Sequence, residues 1–223
     1  LLEYDDVTNR QRTVIYEKRR HALMGERLGM DIANMLWDRV ANLMETTDYE
    51  GMKEGFIELF AMETPFTKQE LEDVKLPELE ERAYQAVMAR FNQKITSISD
   101  QAWPVIKDVY EGPQGKMYQN ILVPIVDGHR VYQVSVPLQE AYDTKCKSVV
   151  KAFQKQIMLH TIDDAWKENL RLLDELKHSV QNSSYEQKDP LLIFKLESAK
   201  LFDQMVGQIN NRATSVLMRA MIP

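Results

Sequence analysis

His160, Asp164 and Glu168 stand four residues apart in "MLHTIDDAWKENL", a spacing that puts three metal-ligating side chains on one face of a helix. Such a trio also arises by accident in a charge-rich helix, and a solvated or interhelical polar face is the favoured reading; no metal site is assigned. Cys146 is the single cysteine, so no internal disulfide and no cysteine zinc cluster can form. His21 and His129 have no partner that the sequence identifies, and His178 falls near a proposed helix-hairpin tip. Nothing matches G-x-x-x-x-G-K-[ST], the glycine-rich loop whose amides cradle phosphates, so no nucleotide site and no catalytic residue is expected in this stretch. Arg10, Arg12, Arg19 and Arg20 form a basic cluster, but Glu17 lies among them and a salt-bridged helix face is favoured over a nucleic-acid contact.

Composition points the same way. The 223 residues carry 28 basic and 34 acidic side chains, a formal net charge of −6, which argues against a broad nucleic-acid footprint. A hydrophobic share of 44% with 28% charged residues describes a folded chain rather than a disordered one. No apolar run approaches the roughly 20 residues that cross a bilayer, and the first residues lack a signal-peptide pattern.

The elements that must position these residues are mostly helical. In "LLEYDDVTNRQRTVIYEKRR", Leu1, Leu2, Val7, Val14 and Ile15 recur at helical spacing between charged residues. The spacing predicts a helix over 2–24 and a second over 31–45, interrupted at "GERLGMD", where Gly25 and Gly29 each cost about 1 kcal/mol in a helix interior and Asp31 can cap the restart. Shorter helices follow in the middle third, one with Pro77 in its first turn. "NILVPIVDGHRVYQVSVP" places two β-branched runs about Asp127-Gly128, which predicts a β-hairpin near 121–136 with that pair in its two-residue turn, and Pro124 makes its strand an edge. From Leu138, Val149, Phe153, Ile157, Ile162, Trp166, Leu170, Leu173 and Leu176 trace one amphipathic helix of some forty residues, roughly 60 Å at 1.5 Å per residue. Trp166 lies in phase with Ile162 and Leu170, which favours core packing over a substrate contact. After the polar "QNSSYEQKDP", Asp189-Pro190 starts a last helix over 191–220, completing an antiparallel helical hairpin with a projecting tip. The expected fold is mainly α, in three parts: a long helix over 1–45, a mostly helical middle with the β-hairpin over 46–137, and the antiparallel helical hairpin over 138–223.

Two stretches carry a resemblance. "LLEYDDVTNRQRTVIYEKR" is similar to the start of the helical scaffold domain of the SecA family, the bacterial preprotein-translocase motors. About 140 residues on, "MLHTIDDAWKENLRLLDELK" and "YEQKDPLLIFKLES" resemble that family's two-helix finger, with its D-x-x-W-K-E-x-L and Y-x-Q-K-D-P signatures. The family's wing is inserted between them, so the resemblance makes 1–45 the first long helix of the helical scaffold, 46–137 the helical wing and 138–223 the scaffold's two-helix finger, an order that fits the elements read above.

The resemblance implies an excerpt that begins inside a longer protein, after motor domains that hydrolyse ATP with magnesium, while the excerpt itself needs no cofactor. It implies a mechanical role: the scaffold helix ties the motor domains, held in cis, to the finger, whose tip enters the cytoplasmic mouth of the SecYEG channel and contacts the unfolded preprotein. By position the tip residues are Asp174, Glu175, Leu176, Lys177, Tyr185, Gln187 and Lys188, and the contact to the motor domains falls to Tyr4, Asp5, Asp6, Asn9 and Arg12. Glu175 stands where many relatives carry a bulky residue, and Ser183-Ser184 replaces an Arg-Gly pair, so an aromatic grip on substrate is not implied. A cytoplasmic location at the inner membrane follows, reached through the channel. Apolar faces made for absent motor domains could also drive a homodimer. The alternatives are a free-standing helical interaction module, binding partner helices in a groove without catalysis, and a metal-dependent hydrolase using His160, Asp164 and Glu168.

Overall fold

The computed structural model describes residues 2–182 and 189–223. Eight α-helices and one two-stranded antiparallel sheet are present among them, so the chain is mainly α with a single β-hairpin. It divides into two compact units, Leu1–Glu26 with Met158–Arg212 and Arg27–Ile157 with Ala213–Pro223.

The first unit holds α1 (Leu2–Met24), most of α7 (Lys147–Asn182) and most of α8 (Pro190–Arg219). Helix α1 ends at Gly25, whose φ of +68° suits a residue without Cβ and whose N–H reaches the His21 carbonyl at 3.1 Å. Gln11, Ile15 and Ala22 are its buried residues. Leu2 and Val14 fall off that face and are 80% and 52% exposed, so two of the apolar positions expected to line the stripe lie outside it. Pro190 starts α8 as expected, with Asp189 accepting a hydrogen bond from the Leu191 N–H at 3.0 Å. Leu173, Val180 and Phe194 form a buried cluster with Tyr4, Val7, Leu176, Ile193 and Leu201 packed against it.

The second unit is built on α2 (Leu28–Thr46) packed against α5 (Leu76–Glu111), with Trp37 edge-on to Tyr84 at 5.1 Å. Helix α2 begins at Leu28, three residues before the Asp31 start that the sequence suggests, so Asp31 lies in the first turn and the N-cap position falls to Arg27. Helix α3 (Tyr49–Phe60) is capped by Asp48, whose carboxylate accepts from the Gly51 N–H at 2.8 Å. Gly55 lets α3 approach α2 closely: a Cβ there would run into the Leu43 side chain. At the carbonyl end of α3, the guanidiniums of Arg90 and Arg219 donate to the Phe60 and Ile57 oxygens at 3.2 and 2.8 Å. Helix α4 (Lys68–Asp73) opens on a capping box between Thr67 and Glu70. Helix α5 runs 36 residues, longer than the short helices expected in this third. Pro104 lies inside it without ending it, flanked by buried Ala102 and Ile106, whose packing outweighs one lost backbone bond.

Strands β1 (Asn120–Val126) and β2 (Val131–Pro137) pair with Val126 opposite Val131. Their turn differs by one residue from the sequence reading. The Asp127 N–H bonds the Arg130 carbonyl at 3.3 Å, which puts Gly128 and His129 at the centre, with φ of +92° at Gly128. Asp127 instead holds the turn with its side chain, accepting from the His129 and Arg130 amides at 2.8 Å each and from the Tyr132 hydroxyl at 3.2 Å. Burial pushes the Asp127 carboxyl pKa up, but these three donors outweigh it and hold it below the ordinary range. Val123, Ile125, Val134 and Val136 are buried on one face of the sheet.

The apolar series from Val149 to Leu176 lies in one long helix, α7, as its period predicts, but the residues from Leu138 up to it form a separate short helix. Helix α6 (Leu138–Asp143) stacks Tyr142 between Tyr110 at 4.1 Å and Trp103 at 5.4 Å, and α7 starts only at Lys147. Lys145 and Cys146 adopt left-handed conformations, φ +50° and +67°, which break the helix although the apolar period runs on.

Candidate functional site

Those of the residues singled out by the family resemblance that are described lie in the first unit, where α1 meets α7 and α8. Contacts along α1 fix its direction: Tyr4 packs on Phe194 at 4.9 Å, Gln11 reaches Asn169 and Ser198, and Arg19 reaches Asp163. Helix α1 therefore runs antiparallel to α7 and parallel to α8.

Three polar rungs hold it there. At the centre, Gln11 accepts from the Asn169 amide at 3.0 Å and donates to the Ser198 carbonyl at 3.0 Å, so one side chain bridges both finger helices. Gln11 is 9% and Asn169 2% exposed, a depth at which each bond contributes about 1 kcal/mol net and loss of one partner costs more. Toward the C-terminal end of α1, Arg19 grips Asp163 in a fork with distances of 2.8 and 3.3 Å. Near the N-terminal end, Lys177 sits 3.9 Å from Asp5 and 5.9 Å from the centre of the Tyr4 ring. The outer two rungs are open to solvent and supply orientation more than stability.

A cleft of about 400 Å³ lies beside the last rung. Of the residues expected to face the motor domains, Tyr4, Asp5, Asn9 and Arg12 line it; of those expected at the tip, Asp174 and Lys177 line it. Two sets drawn from stretches about 170 residues apart thus share one site. Asn9 accepts from the Arg12 guanidinium at 2.8 Å, which holds that charge over the cleft. Asp6 is exposed and does not line the cleft. Glu175 is exposed and paired with Arg171 on its own helix, while Leu176 packs against the buried cluster. Tyr185, Gln187 and Lys188 lie outside the described residues.

The candidate metal trio is engaged otherwise. His160 Nε2 lies 3.2 Å from Asp164, whereas Glu168 is taken by Arg171 at 2.6 Å, which holds its carboxyl pKa below the ordinary range. No group of three metal-ligating side chains is assembled among the described residues. Trp166 is buried at 8% exposure. Sequence reasoning missed Gln11, Asn169 and Ser198. The available signal was the phase of Gln11, four residues before Ile15 and four after Val7 on the buried stripe, where a polar residue demands a partner.

A model of the SecA Wing and Scaffold domain matches residues 1–221. The chain is 60% identical over 223 residues to the protein translocase subunit SecA of Bacteroides thetaiotaomicron, 59% to that of Phocaeicola vulgatus and 49% over 227 residues to that of Porphyromonas gingivalis. Each match covers 100% of this chain and 20% of the relative, so the chain spans about a fifth of the length of these proteins. With a family match running almost end to end, and motifs of the scaffold and the finger in order, the chain belongs to the SecA Wing and Scaffold domain family.

Proposed function

We propose that this chain is the force-transmitting part of an ATP-driven protein translocase. Motor domains elsewhere in the same polypeptide bind and hydrolyse ATP with magnesium, and α1 passes their motion to the finger. The finger tip contacts the SecYEG channel and the unfolded preprotein at the cytoplasmic face of the inner membrane. The observation that carries this reading is the rung at Gln11, which binds α1 to both finger helices through buried amides. A helix that must move a hairpin as one body needs bonds that solvent does not exchange, and buried hydrogen bonds meet that need where exposed ion pairs do not. Asp5, Asp6, Asn9 and Arg12, exposed or half-buried at the same end as the cleft, present the charges and the amide that a motor domain would engage.

The test is Gln11→Leu in the full-length translocase subunit. ATP hydrolysis should persist while preprotein transport per ATP falls severalfold. Transport and its ATP cost unchanged from the parent, in a variant whose helix content is intact, would overturn the reading.

A further inference from the structure

The two edges of the β-hairpin are treated differently by the sequence. In the observed register, Asn120, Leu122, Pro124 and Val126 turn their backbone groups outward from β1, and Val131, Gln133, Ser135 and Pro137 turn theirs outward from β2. The β1 edge is closed twice. Pro124 has no N–H to offer, and Val126 exchanges both backbone bonds with Met221 at 2.8 Å. The β2 edge has a proline only at its last residue, Pro137, and the stretch from Val131 to Ser135 carries neither device. Val131, Gln133 and Ser135 make no backbone bond among the described residues, all three are exposed, and no charged residue interrupts "VYQVSV". Unprotected, uncharged edges are ones that folded proteins usually blunt.

We infer that the β2 edge is a docking site for an unfolded polypeptide, which adds to it as a third, extended strand. The proposal rests on the translocase reading above for the identity of its occupant. Recognition through main-chain hydrogen bonds does not depend on which side chains the incoming chain carries, as a protein that handles many unfolded substrates requires. On the opposite edge the same hairpin already holds Met221 by a pair of backbone bonds. Val131, 61% exposed on the solvent face beside Gln133, favours an uncharged, β-branched residue in the added strand.

Amide exchange read by NMR tests this, with an acetylated and amidated seven-residue peptide of alternating Thr and Val as the probe. Millimolar peptide should slow exchange at the Gln133 and Ser135 amides by at least about tenfold and leave the outward Leu122 amide unchanged. Ser135→Pro should abolish the slowing at low cost to the hairpin, because Ser135 gives no ladder bond; Gln133→Pro, directly across from Pro124, is the second variant should the first unfold. Unchanged exchange with peptide would overturn the proposal. So would slow exchange before peptide is added, which would mean the edge is covered in cis, or slowing that grows with protein concentration alone, which would mean pairing with a second copy. These readouts involve neither ATP nor transport. A negative result removes the edge site and leaves the mechanical role standing, while failure of the Gln11→Leu test does not move these amides.

Discussion

Gln11 and Asn169, 158 positions apart, meet side chain to side chain at 3.0 Å in a buried setting, and the same Gln11 donates onward to the Ser198 carbonyl. Gln11→Leu strands the Asn169 amide without its acceptor and should cost about 1–3 kcal/mol in urea unfolding. Replacing both residues by Leu removes the orphan as well, and the double variant should lose clearly less than the sum of the singles. Additive losses would mean that the two amides do not act as a unit.

Much of the architecture was legible because it rests on local signals. The hairpin, the Pro190 start and the Gly25 stop all follow from backbone chemistry written at one position. What was not legible depends on partners distant in sequence. The 36 residues of α5 continue past Pro104 because tertiary packing supports them, and the break at Lys145–Cys146 interrupts an apolar period that gives no warning of it. The site divides in the same way. Motif matching singled out Tyr4 and Lys177 for two separate contacts and gave no sign that they line one cleft, and Gln11 read as one more polar residue until Asn169 and Ser198 stood beside it.

Glu80 gives the wing a pH dependence. It is 7% exposed on α5, its Oε1 has no hydrogen-bond partner among the described residues, and burial with the neighbouring Glu45 carboxyl raises its pKa. With the folded value above the ordinary 4.5, the folded state holds the proton more tightly. The contribution is therefore present below the unfolded pKa and is lost as pH rises through the folded one. Glu80→Gln carries no such loss, so its stability relative to the parent should increase between pH 4 and pH 8. Parallel stability curves for the two proteins would contradict the assignment.

Cys146 should be inert in the folded protein. Its thiol is fully buried and burial pushes its pKa up to about 11, so at pH 8 only about one thiol in a thousand is the reactive thiolate. Iodoacetamide should modify it at the rate of global unfolding, and urea above the transition should accelerate labelling by orders of magnitude. The raised pKa also predicts stability that holds below the ordinary thiol value and declines as pH climbs toward 11. Rapid labelling of the native chain at pH 8 would show that the loop before α7 opens without unfolding.

The finger's stiffness should reside in its buried cluster and not in the surface charges near its tip. Phe194 is 1% exposed and packs against Leu173, Val180 and Tyr4, so Phe194→Ala should destabilise by about 3–5 kcal/mol, the range for emptying a buried aromatic position. Glu175 has a side chain 62% exposed and, among the described residues, pairs with Arg171, itself 54% exposed and bonded also to Glu168. Because Arg171 keeps Glu168 when Glu175 is removed, Glu175→Ala should change stability by no more than about 0.5 kcal/mol. In the full-length subunit the two variants should then separate two ways of losing transport. Under the proposed mechanical role, Phe194→Ala should lower transport and thermal stability together. Any loss in Glu175→Ala would come with stability unchanged, and would assign that carboxylate a contact outside the chain.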